Sequence, residues 1–382
     1  MRIAHLSRWG IAGAAAIMLA ACSNSNASST TGSTTPGLSS AAATALPGSA
    51  AGSVSPCVSG TLTGGGSTFQ APMQEKWISG YLARCAQARI NYSSIGSGAG
   101  IQQFVAGTVD FAGSDVLMKS DEQAGADKRC NGAAVHVPVT AGGVGITWNV
   151  PGVSSLRLSP DTLADIFQGK ITDWDSPEIA ADNPGVRLPK LAITVFHRSD
   201  SSGTTGVFTS FLAATSKKWT LGSGKTVNWP SNTQGAKGNE GVSAGVAQTV
   251  GGITYTEQAF ALQRKLPLAL IENAGGHFVA LDPQTVSKAL ASATVEPRSP
   301  HDVSVRMNYR ATDPGAYPIS SVTYVIVCTA YPSNVAPEKV RLLRSYLSYA
   351  LTDGQQFAAA IGYAPLPTDV LQKAQASVDA IS

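Results

Sequence analysis

At three places in this chain, an apolar strand pattern runs into a short loop of glycine and hydroxyl residues and then into a helix pattern. The loops have the sequences GGGSTF (residues 64–69), GSGAG (96–100) and SDSSGTT (199–205). Apolar residues at helical spacing follow each loop, such as Phe208 and Phe211 after the third. Strands that alternate with helices in this way predict an α/β fold.

The third loop carries the side chains that suit an oxyanion. Arg198 supplies a guanidinium, several hydroxyls follow it, and Gly203 lets backbone N–H groups approach a ligand without a Cβ in the way. The first N–H groups of a helix have no intrahelical partner and carry the positive end of the helix dipole. Together these donors would hold a tetrahedral anion without a metal. Ser67 and Thr68 in the first loop could face the same anion.

An ordinary N-cap and turn would have a composition similar to that of the third loop. The repetition of the pattern in three loops favours the anion site. A short strand in TVDFAGSD (residues 108–115) then delivers Asp115 to a sheet edge. A carboxylate belongs in an anion site only if the ligand has a proton to donate.

The N-terminus has the pattern of a bacterial lipoprotein signal. Arg2 and Arg8 precede an apolar run that ends in LAAC, so residues 1–21 are predicted to be removed and Cys22 to be lipidated. The alternative is a plain signal peptide with a chance cysteine. Residues 22–56 are rich in Ser, Thr, Ala and Gly and predict a disordered tether of about 30 Å. We therefore expect a protein anchored by lipid to the outer face of the cell membrane.

Four cysteines remain beyond the predicted lipidation site, and export makes disulfides plausible. Four cysteines permit three pairings. We expect Cys85 to pair with Cys130 and Cys57 with Cys328, because a strand that carries Cys328 back into the first lobe could lie beside the first strand. Metal binding is the weaker alternative, since there is no C-x-x-C pair and the five histidines are scattered, and we expect neither a metal nor a cofactor.

Other function classes find little support in the sequence. Only 13% of the 382 residues are charged and there is no basic run, which argues against nucleic acid as a partner. The GKT at residues 224–226 does not complete a nucleotide-binding loop, because the required first glycine would fall at Trp219. A hydrolase triad of His197, Asp200 and Ser202 is disfavoured, because the histidine and the neighbouring arginine point to opposite faces of one strand.

The chain order predicts a first lobe that is interrupted by a second. The sequence AVHVPVTAGGVGITWNV reads as a strand, a Gly-Gly break and another strand, with a crossing between lobes near residues 139–143. A second crossing is expected just before the apolar strand at 319–329. The first lobe would then comprise 57–139 plus 319–382, and the second 140–318. The Pro-rich stretch at 295–318 is predicted to be irregular surface.

The loop motifs resemble those of the phosphate-binding proteins of ABC importers, the PstS family, and especially its lipid-anchored actinobacterial members. The resemblance covers residues 62–371 and includes GGGSTF, GSGAG, TVDFAGSD, HRSDSSGTT, GGITY and YPISSVTYVIV. It implies a two-lobed type II periplasmic-binding-protein fold, with a ligand cleft between lobes joined by a two-strand hinge. The phosphate ligands that it implies are Thr68, Phe69 (through its N–H), Ser97, Asp115, Arg198, Ser202, Gly203 and Thr204. Asp200 resembles the carboxylate that orients the arginine.

The resemblance also implies a monomer that binds phosphate with high affinity and delivers it to an ABC permease, with the ATPase as an indirect partner. An ionised Asp115 can only accept hydrogen bonds, so it needs an O–H from the ligand. Phosphate has one at neutral pH and sulfate does not. The alternatives are a protein for another oxyanion such as sulfate or molybdate, a phosphatase on the same scaffold, and an adhesin or sensor lipoprotein. A phosphatase would need a nucleophile or a metal pair near Arg198, and the sequence offers no His/Asp cluster for one.

Overall fold

The computed structural model describes residues 57–382. The predicted signal peptide (residues 1–21), the lipidation site Cys22 and the tether (22–56) lie outside the described residues, so they remain predictions.

Strands and helices alternate along the described chain, as the loop pattern predicts. None of the helices between residues 57 and 382 combines the length and apolar character that a membrane crossing demands. In chain order the elements are β1 (Gly60–Gly66), α1 (Ala71–Arg84), β2 (Ala88–Ser94), α2 (Ser97–Val105), β3 (Phe111–Ser114), α3 (Ser120–Arg129), β4 (Ala134–Asn149), β5 (Arg157–Leu158), α4 (Pro160–Phe167), α5 (Pro177–Asp182), β6 (Thr194–Arg198), α6 (Gly203–Thr215), β7 (Gln234–Ala236), α7 (Gly238–Gln248), β8 (Gly252–Glu257), α8 (Gln258–Gln263), β9 (Leu270–Glu272), β10 (Phe278–Val279), α9 (Pro283–Leu290), β11 (Thr294–Val295), β12 (Val305–Arg306), β13 (Ser320–Cys328), α10 (Pro337–Leu351), two short 3-10 helices (Asp353–Phe357 and Ala359–Ile361) and α11 (Thr368–Asp379).

One eight-stranded sheet organises the described residues, in the order β2-β1-β3-β13-β4-β8-β6-β7. Strands β1, β2 and β3 are parallel, and β13 runs antiparallel to both β3 and β4. On the other side, β8 pairs antiparallel with β4 and parallel with β6. We call β2, β1, β3, β13 and the first part of β4 the first half-sheet, and the rest of β4 with β8, β6 and β7 the second half-sheet.

Strand β4 joins the two half-sheets without interruption, although the sequence predicts a break at its glycine pair. Its partner changes from β13 to β8 between Gly143 and Val144, while the strand itself continues. A Cβ on Gly142 would lie 2.9 Å from the Phe69 ring, and one on Gly143 would lie 2.2 Å from Leu281. The two glycines therefore permit close packing against both faces of the strand, and they do not form a turn.

The apolar faces of these elements form a continuous core. Leu62 of β1 and Phe111 of β3 are fully buried in the first half-sheet. Trp77 of helix α1 is also fully buried, and its indole N–H donates to the Gly354 carbonyl at 3.1 Å. The helical spacing seen in the sequence of α1 thus corresponds to the face that packs on the sheet.

The prediction of irregular surface for the Pro-rich stretch 295–318 is right for most of its residues and wrong for residues 302–305 and 316–318, which are buried. Residues 294–306 contain the hairpin β11–β12, in which Val303 and Val305 are buried. The Val303 N–H donates to the His136 carbonyl at 2.9 Å, and the hydroxyl of Tyr324 accepts from the Val305 N–H at 3.1 Å. Contacts with β4 and β13 bury residues 302–305, and the composition of the stretch does not reveal these contacts.

The disulfides join Cys57 to Cys85 and Cys130 to Cys328, so the predicted pairing is wrong. Helix α1 runs back along the sheet and brings Cys85 at its end to the residues before β1. Strand β3 lies between β1 and β13, which keeps Cys328 away from Cys57. Because β13 is antiparallel to β4, Cys328 pairs in register with Ala134, close to the end of α3 and Cys130.

Removing either bridge is expected to destabilise the protein, and the Cys130–Cys328 bridge should matter more. It closes a segment of 198 residues, whereas Cys57–Cys85 closes 28. Loop-closure entropy of the unfolded chain then predicts losses of about 5 and about 3.5 kcal/mol. Urea unfolding of the double variants Cys130→Ser/Cys328→Ser and Cys57→Ser/Cys85→Ser measures this. Peptides linking Cys57 to Cys328 in a non-reducing digest would contradict the observed pairing.

Candidate anion-binding site

The glycine-rich loops converge where the strands end. Because β1, β2 and β3 are parallel, their carboxyl ends lie at one edge of the first half-sheet, and the loop after β6 faces them from the second half-sheet. The Gly98 N–H donates to the Ser201 carbonyl across the cleft at 3.0 Å. All residues predicted as phosphate ligands are buried there: Thr68, Phe69, Ser97, Asp115, Arg198, Ser202, Gly203 and Thr204.

Asp115 directly follows β3. One of its carboxylate oxygens accepts two short hydrogen bonds, and the other has only a long contact. Its Oδ1 accepts from the hydroxyls of Ser67 at 2.5 Å and Thr323 at 2.7 Å. Its Oδ2 has a longer contact of 3.4 Å with the Ser97 hydroxyl, so it keeps lone pairs for a ligand. Burial raises the pKa of Asp115 to about 6, although these hydrogen bonds and the charge of Arg198 oppose the rise. The carboxyl is therefore ionised above about pH 6.

Arg198 ends β6 with a side chain that is only 1% exposed. Its Nε and Nη2 donate to the two oxygens of Asp200 at 2.7 and 2.5 Å, a bidentate arrangement that fixes the plane of the guanidinium. Burial alone would raise the pKa of Asp200, but the hydrogen bonds and charge of Arg198, with the Gly238 N–H, hold it below its ordinary value. Nη1 points away from this pair and lies 3.4 Å from the Thr204 hydroxyl.

Helix α6 begins at Gly203, after the short loop that follows this arginine, and supplies the second group of donors. Ser202 is its N-cap, and the Ser202 Oγ accepts from the Thr205 N–H at 3.1 Å. The Ser202 hydroxyl proton is therefore available for another acceptor. Gly203 and Thr204 form the first turn of a 13-residue helix, where N–H groups lack intrahelical partners.

The remaining predicted ligands lie at the starts of α1 and α2. Ser97 is the first residue of α2, and its hydroxyl lies 3.4 Å from both the N–H and Oδ2 of Asp115. Phe69 precedes α1, and its carbonyl accepts from the Tyr363 hydroxyl at 2.5 Å. The ring of Phe69 packs edge-on against that of Tyr363. This contact with the C-terminal part of the chain holds the first loop in place.

Direct contacts close the cleft between the half-sheets. Lys225, which follows α6, pairs through Nζ with Glu122 of α3 at 2.6 Å, and the lysine side chain is 5% exposed. The Ser94 hydroxyl donates to Glu240 at 2.9 Å. The described chain is therefore in a closed arrangement in which solvent has little access to Asp115 and Arg198.

Two residues of the site were not predicted from the sequence. Thr323 lies on β13 and donates to Asp115, but the strand carries several hydroxyl residues and nothing in its sequence, SSVTYVIVC, singles this one out. Asn239 lies at the start of α7, and its amide contacts the hydroxyls of Thr68 and Thr204. The order Ala236, Lys237, Gly238, Asn239 is a fourth strand-to-helix turn, which is the signal that could have indicated Asn239.

His197 does not enter the site. Its ring stacks on Trp229 with centroids 5.0 Å apart, and its Nδ1 lies 3.1 Å from the Arg198 carbonyl. Burial lowers the pKa of His197. Within residues 57–382, no hydrogen bond joins its ring to Asp200 or Ser202, and no three His, Cys, Asp or Glu side chains are grouped as metal ligands.

Two α/β lobes that share one sheet, with strand-end loops meeting between them, define a periplasmic-binding-protein fold. Residues 51–353 match the sequence profile of the PBP superfamily domain. Phosphate-binding protein PstS 3 of Mycobacterium tuberculosis (strain ATCC 25618 / H37Rv) is 36% identical over 377 residues, which cover 98% of this chain and 97% of that protein. Phosphate-binding protein PstS of Pasteurella multocida (strain Pm70) is 37% identical over 320 residues, covering 83% and 89%.

The solved structure of PfluDING, described as a high affinity periplasmic phosphate-binding protein bound with phosphate, has the same fold. It aligns with a TM-score of 0.66 over 83% of this chain and 93% of that one, at 23% identity. The chain belongs to the PstS family of phosphate-binding proteins.

Proposed function

We propose that this chain binds inorganic phosphate outside the cytoplasm and delivers it to the permease of an ABC importer. The ATPase of that importer would be an indirect partner. The observation that carries this proposal is the buried Asp115 facing a set of donors. Arg198, the hydroxyls of Ser97 and Ser202 and the first turn of α6 supply donors for the oxygens of an anion. Asp115 supplies one acceptor. Monobasic and dibasic phosphate match this set, because each has both anionic oxygens and an O–H.

The same arrangement disfavours sulfate. Fully ionised sulfate has no hydrogen to offer, so it would place one anion against the Asp115 carboxylate in a buried site. Two facing anions without a shared proton cost on the order of several kcal/mol. We infer that the acceptor at Asp115 is the main source of discrimination, and that Thr68, Phe69, Gly203 and Thr204 contribute donors that any tetrahedral oxyanion could use.

We infer that the protein holds phosphate without altering it and needs no cofactor. The hydroxyl of Ser202 caps α6, and the nearest histidine in sequence, His197, stacks on Trp229, so no base is paired with a nucleophile in the described site. Asp200 is bonded to Arg198 through both oxygens. Its proposed role is to orient the guanidinium.

We further propose a monomer held at the membrane by lipid on Cys22 and spaced from it by residues 22–56. The support is the LAAC sequence and the uncharged composition of the segment after it. The proposed lobes comprise 57–139 plus 319–382 and 140–318, and they would open and close about β4 and the segment before β13. Closure would then create the surface that the permease recognises.

Isothermal titration of the mature protein with phosphate, sulfate and molybdate tests the proposal. We expect tight binding of phosphate alone, together with no release of phosphate from p-nitrophenyl phosphate in a parallel assay. Tighter binding of sulfate or molybdate would identify a different oxyanion carrier, and catalytic turnover would identify an enzyme.

Sulfate binding is expected to strengthen as the pH falls. Because the pKa of Asp115 is about 6, its carboxyl is ionised at pH 8 and protonated at pH 5. The protonated form can donate to sulfate, which stays fully ionised over this range. The sulfate affinity should therefore rise roughly tenfold for each pH unit between 8 and 6 and then level off. The Asp115→Asn variant is the control and should show no such slope; an affinity that does not change with pH in the native chain would contradict the assignment.

A further inference from the structure

The amide of Asn239 connects two of the proposed anion donors across the cleft. Its Nδ2 lies 2.9 Å from the hydroxyl of Thr68 and 3.2 Å from that of Thr204. Thr68 follows β1 in the first half-sheet, and Thr204 lies in the first turn of α6 beside the second. All three side chains are at least 98% buried. Water therefore does not compete for these contacts.

The direction of the Asn239 amide is determined by its other end. Its Oδ1 lies 3.4 Å from the Glu257 N–H and 3.3 Å from the Thr256 hydroxyl. A backbone N–H can only donate, so the amide oxygen has to face Glu257. The NH₂ group consequently faces the two threonines, and the reverse orientation would place two N–H donors against each other.

This orientation determines what the threonine hydroxyls can do. An NH₂ group has no lone pair to offer, so both hydroxyl oxygens accept from Asn239. Each hydroxyl keeps its own proton for a different acceptor. Arg198 Nη1 is a second donor to the Thr204 hydroxyl oxygen, at 3.4 Å. Asn239 and Arg198 therefore both donate to Thr204, and neither can accept its hydroxyl proton. Both protons are therefore available for the oxygens of an anion.

We propose that Asn239 is a positioning residue that turns the Thr68 and Thr204 hydroxyls into dedicated donors for the bound anion when the cleft closes. The inference rests on the proposed function, because it requires an anion in this cleft. Its contact with Thr68 spans the two half-sheets, so the orientation is complete only in the closed arrangement. Asn239 itself need not touch the anion.

A double-mutant cycle measured by titration with phosphate tests this role. Asn239→Ala is expected to raise the phosphate Kd about tenfold in the native background. In a Thr68→Val/Thr204→Val background there are no hydroxyls to orient, and the same change should raise the Kd less than about twofold. Asn239→Asp keeps the size of the side chain but replaces the donor by an acceptor, so it should weaken binding more than Ala does.

Asn273→Ala is the matched control. That asparagine is equally enclosed, with 4% exposure, but its Nδ2 donates to the backbone carbonyls of Asp313 and Ala316. We expect it to lower thermal stability and to leave the phosphate Kd unchanged.

The outcomes separate this inference from the proposed function. A native chain that does not bind phosphate refutes the proposed function, and this inference with it. A native chain that binds phosphate, with an equal cost of Asn239→Ala in both backgrounds, refutes the positioning role alone, because a structural defect would act independently of the hydroxyls. An Asn239→Asp variant that binds phosphate like the native protein also overturns the role, and it does so even if the alanine variant fails to fold.

Discussion

Replacing Asp115 by Asn is expected to reduce the preference for phosphate over sulfate by about two to four orders of magnitude. The Asn amide can donate to a fully ionised oxyanion, whereas the carboxylate can only accept. Phosphate would lose a charge-assisted hydrogen bond and bind more weakly. Sulfate would no longer face a negative charge and would bind more tightly. Each effect is about 1.5–3 kcal/mol, and 1.4 kcal/mol corresponds to a tenfold change in Kd. Titration calorimetry with both anions at pH 8 measures the ratio.

The fold of the Asp115→Asn variant should be retained, because the Asn oxygen can still accept from Ser67 and Thr323. Asp165→Asn is a suitable control, since that carboxylate pairs with Lys170 and Lys218, lies in α4 and has no bond to the site. We expect the control to discriminate as the native chain does. An Asp115→Asn protein that still rejects sulfate as strongly would show that discrimination resides in other groups.

Adding one methyl group at Gly203 is expected to raise the phosphate Kd by about ten- to a hundredfold. A Cβ at this position would lie 2.4 Å from both Asp115 Oδ2 and Ser97 Oγ, closer than real Cβ contacts occur. Asp115 cannot retreat easily, because Ser67 and Thr323 hold its other oxygen. Relief then requires the loop before α6 to move away from the first half-sheet, which opens the cleft. Overpacking of this kind typically costs 1–3 kcal/mol. Here the overpacked atoms belong to Asp115 and Ser97, two of the proposed phosphate ligands, so the cost should weaken phosphate binding.

The backbone of Gly203 does not require glycine, so Gly203→Ala should fold. The matched control is Gly241→Ala in α7, where the added Cβ would meet the Ala236 Cβ at an ordinary 3.4 Å. Both changes introduce the same residue near the start of a helix. We expect this control to bind phosphate like the native chain, because its added methyl group meets no close contact. Equal phosphate affinities for Gly203→Ala and the native protein would mean that the site does not close around this position.

Local patterns in the sequence predicted the strands and helices on either side of the three glycine-rich loops. Strand β6 and helix α6 appear where the apolar spacing on either side of the third loop places them. The same reasoning failed at Gly142 and Gly143. A glycine pair within an apolar run indicates either a turn or close packing, and only the positions of Phe69 and Leu281 show which applies.

Long-range partners could not be obtained from local patterns. The disulfide pairing depends on β3 lying between β1 and β13, which is a property of strand order. Val303 is buried where its N–H donates to the β4 carbonyl of His136, a residue 167 positions away along the chain. Asn239 becomes significant only because α7 brings it between Thr68 and Thr204, residues 171 and 35 positions away along the chain.

By itself, the sequence determined which chemistry this protein can offer: helix N-termini, hydroxyls and one arginine as donors, and one carboxylate as acceptor. It could do so because capping, glycine-rich turns and helical spacing depend on residues close together in the chain. Only the tertiary structure decided which oxygen of Asp115 stays available, which cysteines meet and which amide orients the threonine hydroxyls. Those outcomes depend on distances between strands and helices far apart in sequence, and burial makes each unpaired polar group there costly enough to select one arrangement.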